Sequence, residues 1–239
     1  MDPNRRIAIT AGVLFVTATV ASLASTALTN PILTASDYLS KVNSNQNEMV
    51  LGALLQFLAS VASAGIAISL YPVLKRYDEG LALGSVGLRL IEAVFGIVVA
   101  VGLLTLVTVG QDFASAGSSN AVYYQTMGSV IKAQNNWAGF VFLALAFTLG
   151  ALIYYYIFYR SRLIPRWLSG WGFIAAAMSL SAAILVAFGN APLSTTTILL
   201  NVPIAVQEMV LAAWLIVKGF DRVALDSLSA KSASRVGVT

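Results

Sequence analysis

Arg89, Glu92 and Glu208 are charged side chains in stretches where charge is expensive. Arg89 and Glu92 interrupt "GLALGSVGLRLIEAVFGIVVAVGLLTLV" (80–107), which is otherwise a membrane-type run, and Glu208 lies inside "ILLNVPIAVQEMVLAAWLIVKGF" (198–220). An ionised group at mid-bilayer costs a few kcal/mol or more, so all three are expected to face protein rather than lipid. Arg89 and Glu92 fall ~12 and ~16 Å into their run, and Glu208 ~14 Å in from the end of its own, at 1.5 Å per residue. All three therefore share one depth. A spacing of three puts Arg89 and Glu92 on one helix face, which Ser85 and Gly96 extend. Small residues admit a close neighbour, and the helix carrying Glu208 is expected to be that neighbour. Arginine's planar fork has donors enough for two carboxylates. One guanidinium against two carboxylates leaves a surplus negative charge, which a proton, a metal ion or a ligand amine would complete. The same charges can equally serve only to fix which helices meet, and both readings stay open.

Other polar residues surround this trio in sequence. Asn201 is seven residues from Glu208 and shares its face, whereas Gln207 points ~100° away and needs a different partner. Pro203 between them removes a helix hydrogen bond. Gln56 continues into Ser60 and Ser63 as a small, polar stripe. Arg89, Glu92, Glu208, Gln207, Asn201 and Gln56 are the candidates for binding a ligand or proton. No catalytic residue is assigned. The chain has no Cys and no His, which excludes disulfides, thiol nucleophiles, and thiolate or imidazole metal sites. Acids outside the apolar runs are scattered, so no metal or cofactor is expected, and nothing supports nucleic-acid binding.

The elements that must hold these residues are plain in the composition. Of 239 residues, 58% are hydrophobic and 10% charged, against about a quarter charged in a soluble domain. Six apolar runs, at 7–29, 49–71, 81–109, 137–159, 167–188 and 198–217, are each long enough to cross the bilayer. Lipid offers no partners to free backbone groups, so each must be helical. The fold class is all-α: a six-transmembrane-helix bundle occupying residues 1–220, followed by a Ser-, Ala- and charge-rich tail, 221–239, expected to be mobile. Arg5, Arg6, Lys75, Arg76, Arg160, Arg162, Arg166, Lys218, Arg222, Lys231 and Arg235 cluster at one set of helix ends, and Lys41 and Lys132 at the other. This bias predicts that both termini are cytoplasmic. Arg5 and Arg6 before an apolar stretch also resemble a signal peptide, but the stretch is span-length and an uncleaved first helix is expected. Tyr154, Tyr155, Tyr156, Tyr159, Trp167 and Trp171 read as interfacial anchors. The segment 34–48 has cap residues for a short helix. Segment 120–135, with Tyr123, Met127, Val130 and Ile131 on one face, reads as an amphipathic helix lying on the outer surface.

The sequences "NRRIAITAGVLF", "YPVLKRYDEGLALGSVGLRLIEA", "PRWLSGWG" and "QEMVLAAWLIVKGF" resemble the prokaryotic integral membrane family catalogued as domain of unknown function 4386. The resemblance covers nearly the whole chain. It implies a six-helix bundle in a bacterial or archaeal cell membrane, and carries no activity or catalytic residues with it. Binding or transport of a proton or a small polar or amphipathic molecule at the charged trio is placed first. A structural or regulatory membrane protein, with the charges as packing glue, comes second. An intramembrane lipid-modifying enzyme using a Glu as acid or base comes third. Membrane lipids are the expected surroundings, and Gly- and Ala-lined faces leave a homo-oligomer open.

Overall fold

The computed structural model describes residues 2–116 and 120–236, with side chains described to residue 230. Lys231 and Arg235, counted above with one cluster of cations, have side chains outside that range. The described residues are all-helical. The order is α1 (Pro3–Leu33), α2 (Tyr38–Ser44), α3 (Gln46–Leu74), α4 (Glu79–Ser115), α5 (Ala121–Asn136), a π-helical segment (Trp137–Leu143), α6 (Ala144–Ser161), α7 (Arg166–Ala187), α8 (Thr195–Val217) and α9 (Arg222–Val236). Six helices are long and apolar enough to cross a membrane: α1, α3, α4, the continuous run Ala121–Ser161, α7 and α8.

Local chemistry sets where these helices start and stop. Asp78 caps α4 by accepting from the Leu81 N–H at 2.9 Å, and Ser194 caps α8 by accepting from Thr197 N–H at 3.3 Å. Such caps satisfy N–H groups that the helix leaves without partners. Glycines at φ 103° and 75°, Gly189 and Gly219, follow α7 and α8. Left-handed backbone there is cheap for glycine.

The six long helices form a closed ring: α1 packs on α3, α3 on α4, α4 on α6, α6 on α7, α7 on α8, and α8 back on α1. One end of the ring carries the clustered Arg and Lys residues and is called the basic end below. There the interior is filled by Phe15, Ile66, Leu70, Tyr154, Tyr155, Phe158, Leu168, Leu211 and Leu215, all buried. Arg5 closes the ring by donating to the Leu215 and Ile216 carbonyls at 3.0 and 2.5 Å, carbonyls that the end of α8 leaves unpaired. A smaller apolar cluster, including Met49, Leu103 and Leu106, packs at the far end.

Three sequence expectations meet a different outcome here. The segment 221–239, expected as a mobile tail, is helical over Arg222–Val236 and buries Ala224, Leu225 and Leu228 against the basic-end core. Its apolar residues recur at helical spacing, which the overall polarity of the tail hides. The segment 120–135, expected as a separate surface helix, instead runs on into the fourth span. Asn136, Trp137 and Ala144 keep right-handed helical angles, so no break separates them, and Tyr123 and Val130 remain exposed. Its close contact is made by Gly128 against Tyr38 and Leu39 of α2. Thirdly, Tyr154 and Tyr155 are core residues rather than interfacial anchors, while Tyr156 and Tyr159 stay exposed.

Candidate functional site

The three mid-span charges meet inside the ring. Arg89 of α4 is 2% exposed, Glu92 7% and Glu208 8%. One Arg89 nitrogen, Nη1, lies 3.1 Å from Glu92 Oε2, and the other, Nη2, 3.5 Å from Glu208 Oε1. These are the ion pairs found among the described residues. Ser63 of α3 accepts from Arg89 Nη1 at 2.9 Å and donates to Glu92 Oε1 at 2.7 Å. Tyr154 of α6 accepts from Arg89 Nη2 at 3.0 Å and donates to Glu208 Oε1 at 3.4 Å. The guanidinium carbon sits 4.7 Å from the Phe147 ring centre, a cation–π placement. Four helices therefore hold one guanidinium.

The uses of the carboxylate oxygens differ. Both oxygens of Glu92 are occupied, by Ser63 and by Arg89. Glu208 Oε1 is shared by Arg89 and Tyr154, whereas its Oε2 takes no hydrogen bond among the described residues. Glu208 also lines a cavity of about 740 Å³ enclosed by the ring. Arg89, Glu92 and Glu208 form its floor. Its walls are apolar, with Leu103, Phe140 and Phe147, and studded with hydroxyls from Thr19, Ser22, Thr26, Ser60 and Ser63. Along α1 the lining runs from Ala18 to Thr34, ~24 Å of helix at 1.5 Å per residue. The cavity thus extends from the charges to the far end of the bundle. Lys132 stands on that far rim, on the same span as Phe147 and on the other side of the π-helical segment. Its ammonium donates to the Leu33 carbonyl at 2.6 Å and lies 4.1 Å from the Tyr38 ring centre.

The remaining candidates divide between the cavity and the core. Asn201 and Gln56 line the cavity. Asn201 accepts from Ser179 Oγ at 2.5 Å and donates to its own helix at Thr197 O, 2.8 Å. Gln207 is fully buried and turned away from the cavity. It accepts from the Tyr155 hydroxyl and donates to Leu168 O at 3.1 Å, so it ties α6, α7 and α8 together beneath the floor. The Ser85–Arg89–Glu92–Gly96 stripe is packed by α3 and α6 rather than by α8. Ser85 donates to Gly150 O at 3.2 Å, and a Cβ on Gly96 would strike Ser60 and Gln56. Arg89 is long enough to reach Glu208 without the close helix approach that the stripe suggested.

Sequence reasoning did not assign Tyr154, Phe147, Lys132 or the α1 hydroxyls to a site. The α1 signal exists: Thr19, Ser22, Thr26 and Thr29 recur at three- and four-residue steps. Just below them, Gly12 packs against Ala212 and Ile216 of α8.

A ring of six apolar helices, with its charges turned inward, defines a polytopic α-helical bundle of the membrane type. The family model described as Domain of unknown function (DUF4386) matches residues 10–219, and the chain belongs to that family. No curated protein and no solved structure matches it.

Proposed function

We propose that the protein binds, and moves across the membrane, a small amphipathic molecule with a cationic or proton-carrying end. The single observation that carries this reading is the free Oε2 of Glu208 at the floor of a cavity that reaches the far end of the bundle. A packed interior would have favoured charges kept only as glue. The cavity volume suits a small ligand, its walls suit an apolar body, and the surplus carboxylate suits a positive end. The π-helical segment contributes Gly139, Phe140 and Leu143 to the wall, and π-helical turns are frequent at functional sites. Passage beyond the floor requires the Tyr154, Tyr155 and Gln207 layer to open. A purely structural role is favoured for the Arg89–Glu92 pair taken alone, because all oxygens of Glu92 are satisfied within the protein.

In this reading the basic end lies in the cytoplasm of a prokaryotic cell, with both termini, and the cavity faces outward. The clustered cations support that orientation. The chain lacks cysteine, so single introduced thiols report cleanly. A membrane-impermeant maleimide should label Ser36→Cys in intact cells and label Asp226→Cys only after lysis. The reverse pattern places the cavity mouth inside.

The binding test uses the protein in phosphatidylcholine nanodiscs and a series of alkylammonium ions from butyl to decyl. Melting temperature should rise with ligand concentration, since a ligand that binds only the folded state stabilises it. The rise should be absent in Glu208→Gln, which keeps the shape and the Oε1 acceptor. Equal shifts in both proteins, or none in the wild type, would overturn the cationic-ligand reading.

A further inference from the structure

We propose that a depression at the basic end, distinct from the central cavity, is a binding site for the phosphate of an anionic membrane lipid. Three separate segments build it: the α6–α7 turn from Arg162 to Arg166, the end of α8 with Trp214 and Lys218, and the start of α9 from Phe220 to Val223. Its volume is about 810 Å³. The α6–α7 turn and the start of α9 are fixed to one another, because the Asp221 N–H donates to Leu163 O at 2.9 Å.

Four cations, Arg162, Arg166, Lys218 and Arg222, converge here, with Asp221 as the single acid. That acid is already engaged, accepting from the Ala224 N–H at 2.9 Å to cap α9. None of the four cations makes an ion pair or a side-chain hydrogen bond among the described residues, although the Arg166 guanidinium lies over the Tyr159 ring, 5.3 Å from its centre. Other cations at the same end are used internally. Arg5 holds the carbonyls at the end of α8. Arg76 donates to Asn4 Oδ1 at 3.0 Å. A general bias of charge toward one end explains how many cations there are. It does not by itself bring four cations without a hydrogen-bonded partner to one depression, when Arg5 and Arg76 at the same end have protein partners and Arg6 stands exposed outside it.

The backbone gives a second sign. Arg162 adopts φ 59°, the left-handed conformation that ends α6, whereas Gly189 and Gly219 take the corresponding places after α7 and α8. A β-carbon makes that conformation costly for most residues. Here a long cationic side chain stands where glycine would be easier, and the residue belongs to the depression's lining.

The floor identifies the kind of phosphate. Leu163, Ile164 and Phe220 are buried beneath the cations, and Trp214 borders them, edge-on to Trp167 with ring centres 6.5 Å apart. An apolar floor under a cationic rim matches the junction of a lipid's phosphate with its glycerol and first methylenes. Guanidinium forks bind phosphate oxygens in pairs. Inorganic phosphate would use the rim and leave the floor wet. This inference does not depend on the central cavity.

The test is native mass spectrometry of the detergent-solubilised full chain with dioleoyl phosphatidylglycerol, dioleoyl phosphatidylcholine or inorganic phosphate. The wild type should retain phosphatidylglycerol in preference to phosphatidylcholine by about tenfold or more, as expected for several cations acting together on one anionic headgroup. Arg162→Gln/Arg166→Gln should lose that preference, and so should Lys218→Gln/Arg222→Gln, which guards against a folding defect in either variant. Arg6→Gln, which removes an exposed charge from the same end outside the depression, should keep it. Equal retention of the two lipids by the wild type overturns the proposal, as does loss of preference in Arg6→Gln. Displacement of phosphatidylglycerol by millimolar inorganic phosphate would assign the site to free phosphate and overturn the lipid.

Discussion

The two halves of the ring interior are built from different side chains. Toward the basic end, four of the six helices point bulk inward: Phe15 from α1, Leu70 from α3, Tyr154, Tyr155 and Phe158 from α6, Leu211 and Leu215 from α8. Toward the far end the same helices point inward Thr19, Ser22 and Thr26 from α1, and Gln56 and Ser60 from α3. The fourth span changes from π-helix over Trp137–Leu143 in the hollow half to α-helix in the packed half, but the order of neighbours does not change. The ring is closed by the same six neighbours, and what fills or hollows it is the volume of the residues on the inner faces. Arg89, Glu92 and Glu208 lie at the boundary, where the packed half supplies Tyr154 as a partner and the hollow half supplies access. A buried charge needs partners, and a binding group needs reach. The boundary is where both can be had.

This contrast can be broken most forcefully from its packed side. Tyr155→Ala should destabilise by about 3–5 kcal/mol, the usual cost of emptying a large aromatic site in a well-packed core, as read by thermal unfolding in nanodiscs. Arg89→Gln should cost a similar amount, about 3–5 kcal/mol, because it leaves two buried carboxylates without their cation. Adding Glu208→Gln to it should recover much of the loss. If the double variant melts no higher than the single, the pair is not coupled as its geometry implies. Tyr155→Phe keeps the ring and removes the donor to Gln207, so a loss of about 1–3 kcal/mol is expected. The smallest effect belongs to the hollow side. Ser22→Leu adds bulk where there is room, so stability should stay within about 0.5 kcal/mol of wild type, while alkylammonium stabilisation disappears. A large loss of stability in Ser22→Leu would mean that the far half is better packed than its cavity indicates.

Much of this was readable in advance, and what escaped has identifiable causes. The six helices and the meeting of Arg89 with both glutamates follow from the cost of charge in lipid, a constraint strong enough to act on sequence alone. Family membership is carried by motifs spread over the chain. Tyr154 and Tyr155 were misplaced because a tyrosine near a helix end has the same composition signal whether it anchors at the interface or fills the core. Helix phase decides, and the π-helical segment just before α6 alters that phase. The hydroxyl stripe on α1 was visible as a stripe. Whether such residues meet a neighbour or a void depends on side-chain volumes contributed by other helices, which no single stretch contains. The fold of Arg222–Val236 escaped for the converse reason: a few apolar residues suffice when a preformed surface awaits them.

The contact between Arg5 and the end of α8 also sets an order in time. Its two partners are separated by 210 residues of chain. At a synthesis rate of 5–20 residues per second, about 10–40 s pass between the emergence of one and of the other. Throughout that interval α1 has α3 for company and an unfilled face where α8 will pack. The cavity has no wall there until α8 has been made. Ring closure therefore waits for the sixth span, and a chain stalled before α8 would present the α1 face around Gly12 to whatever insertion machinery or chaperone is at hand.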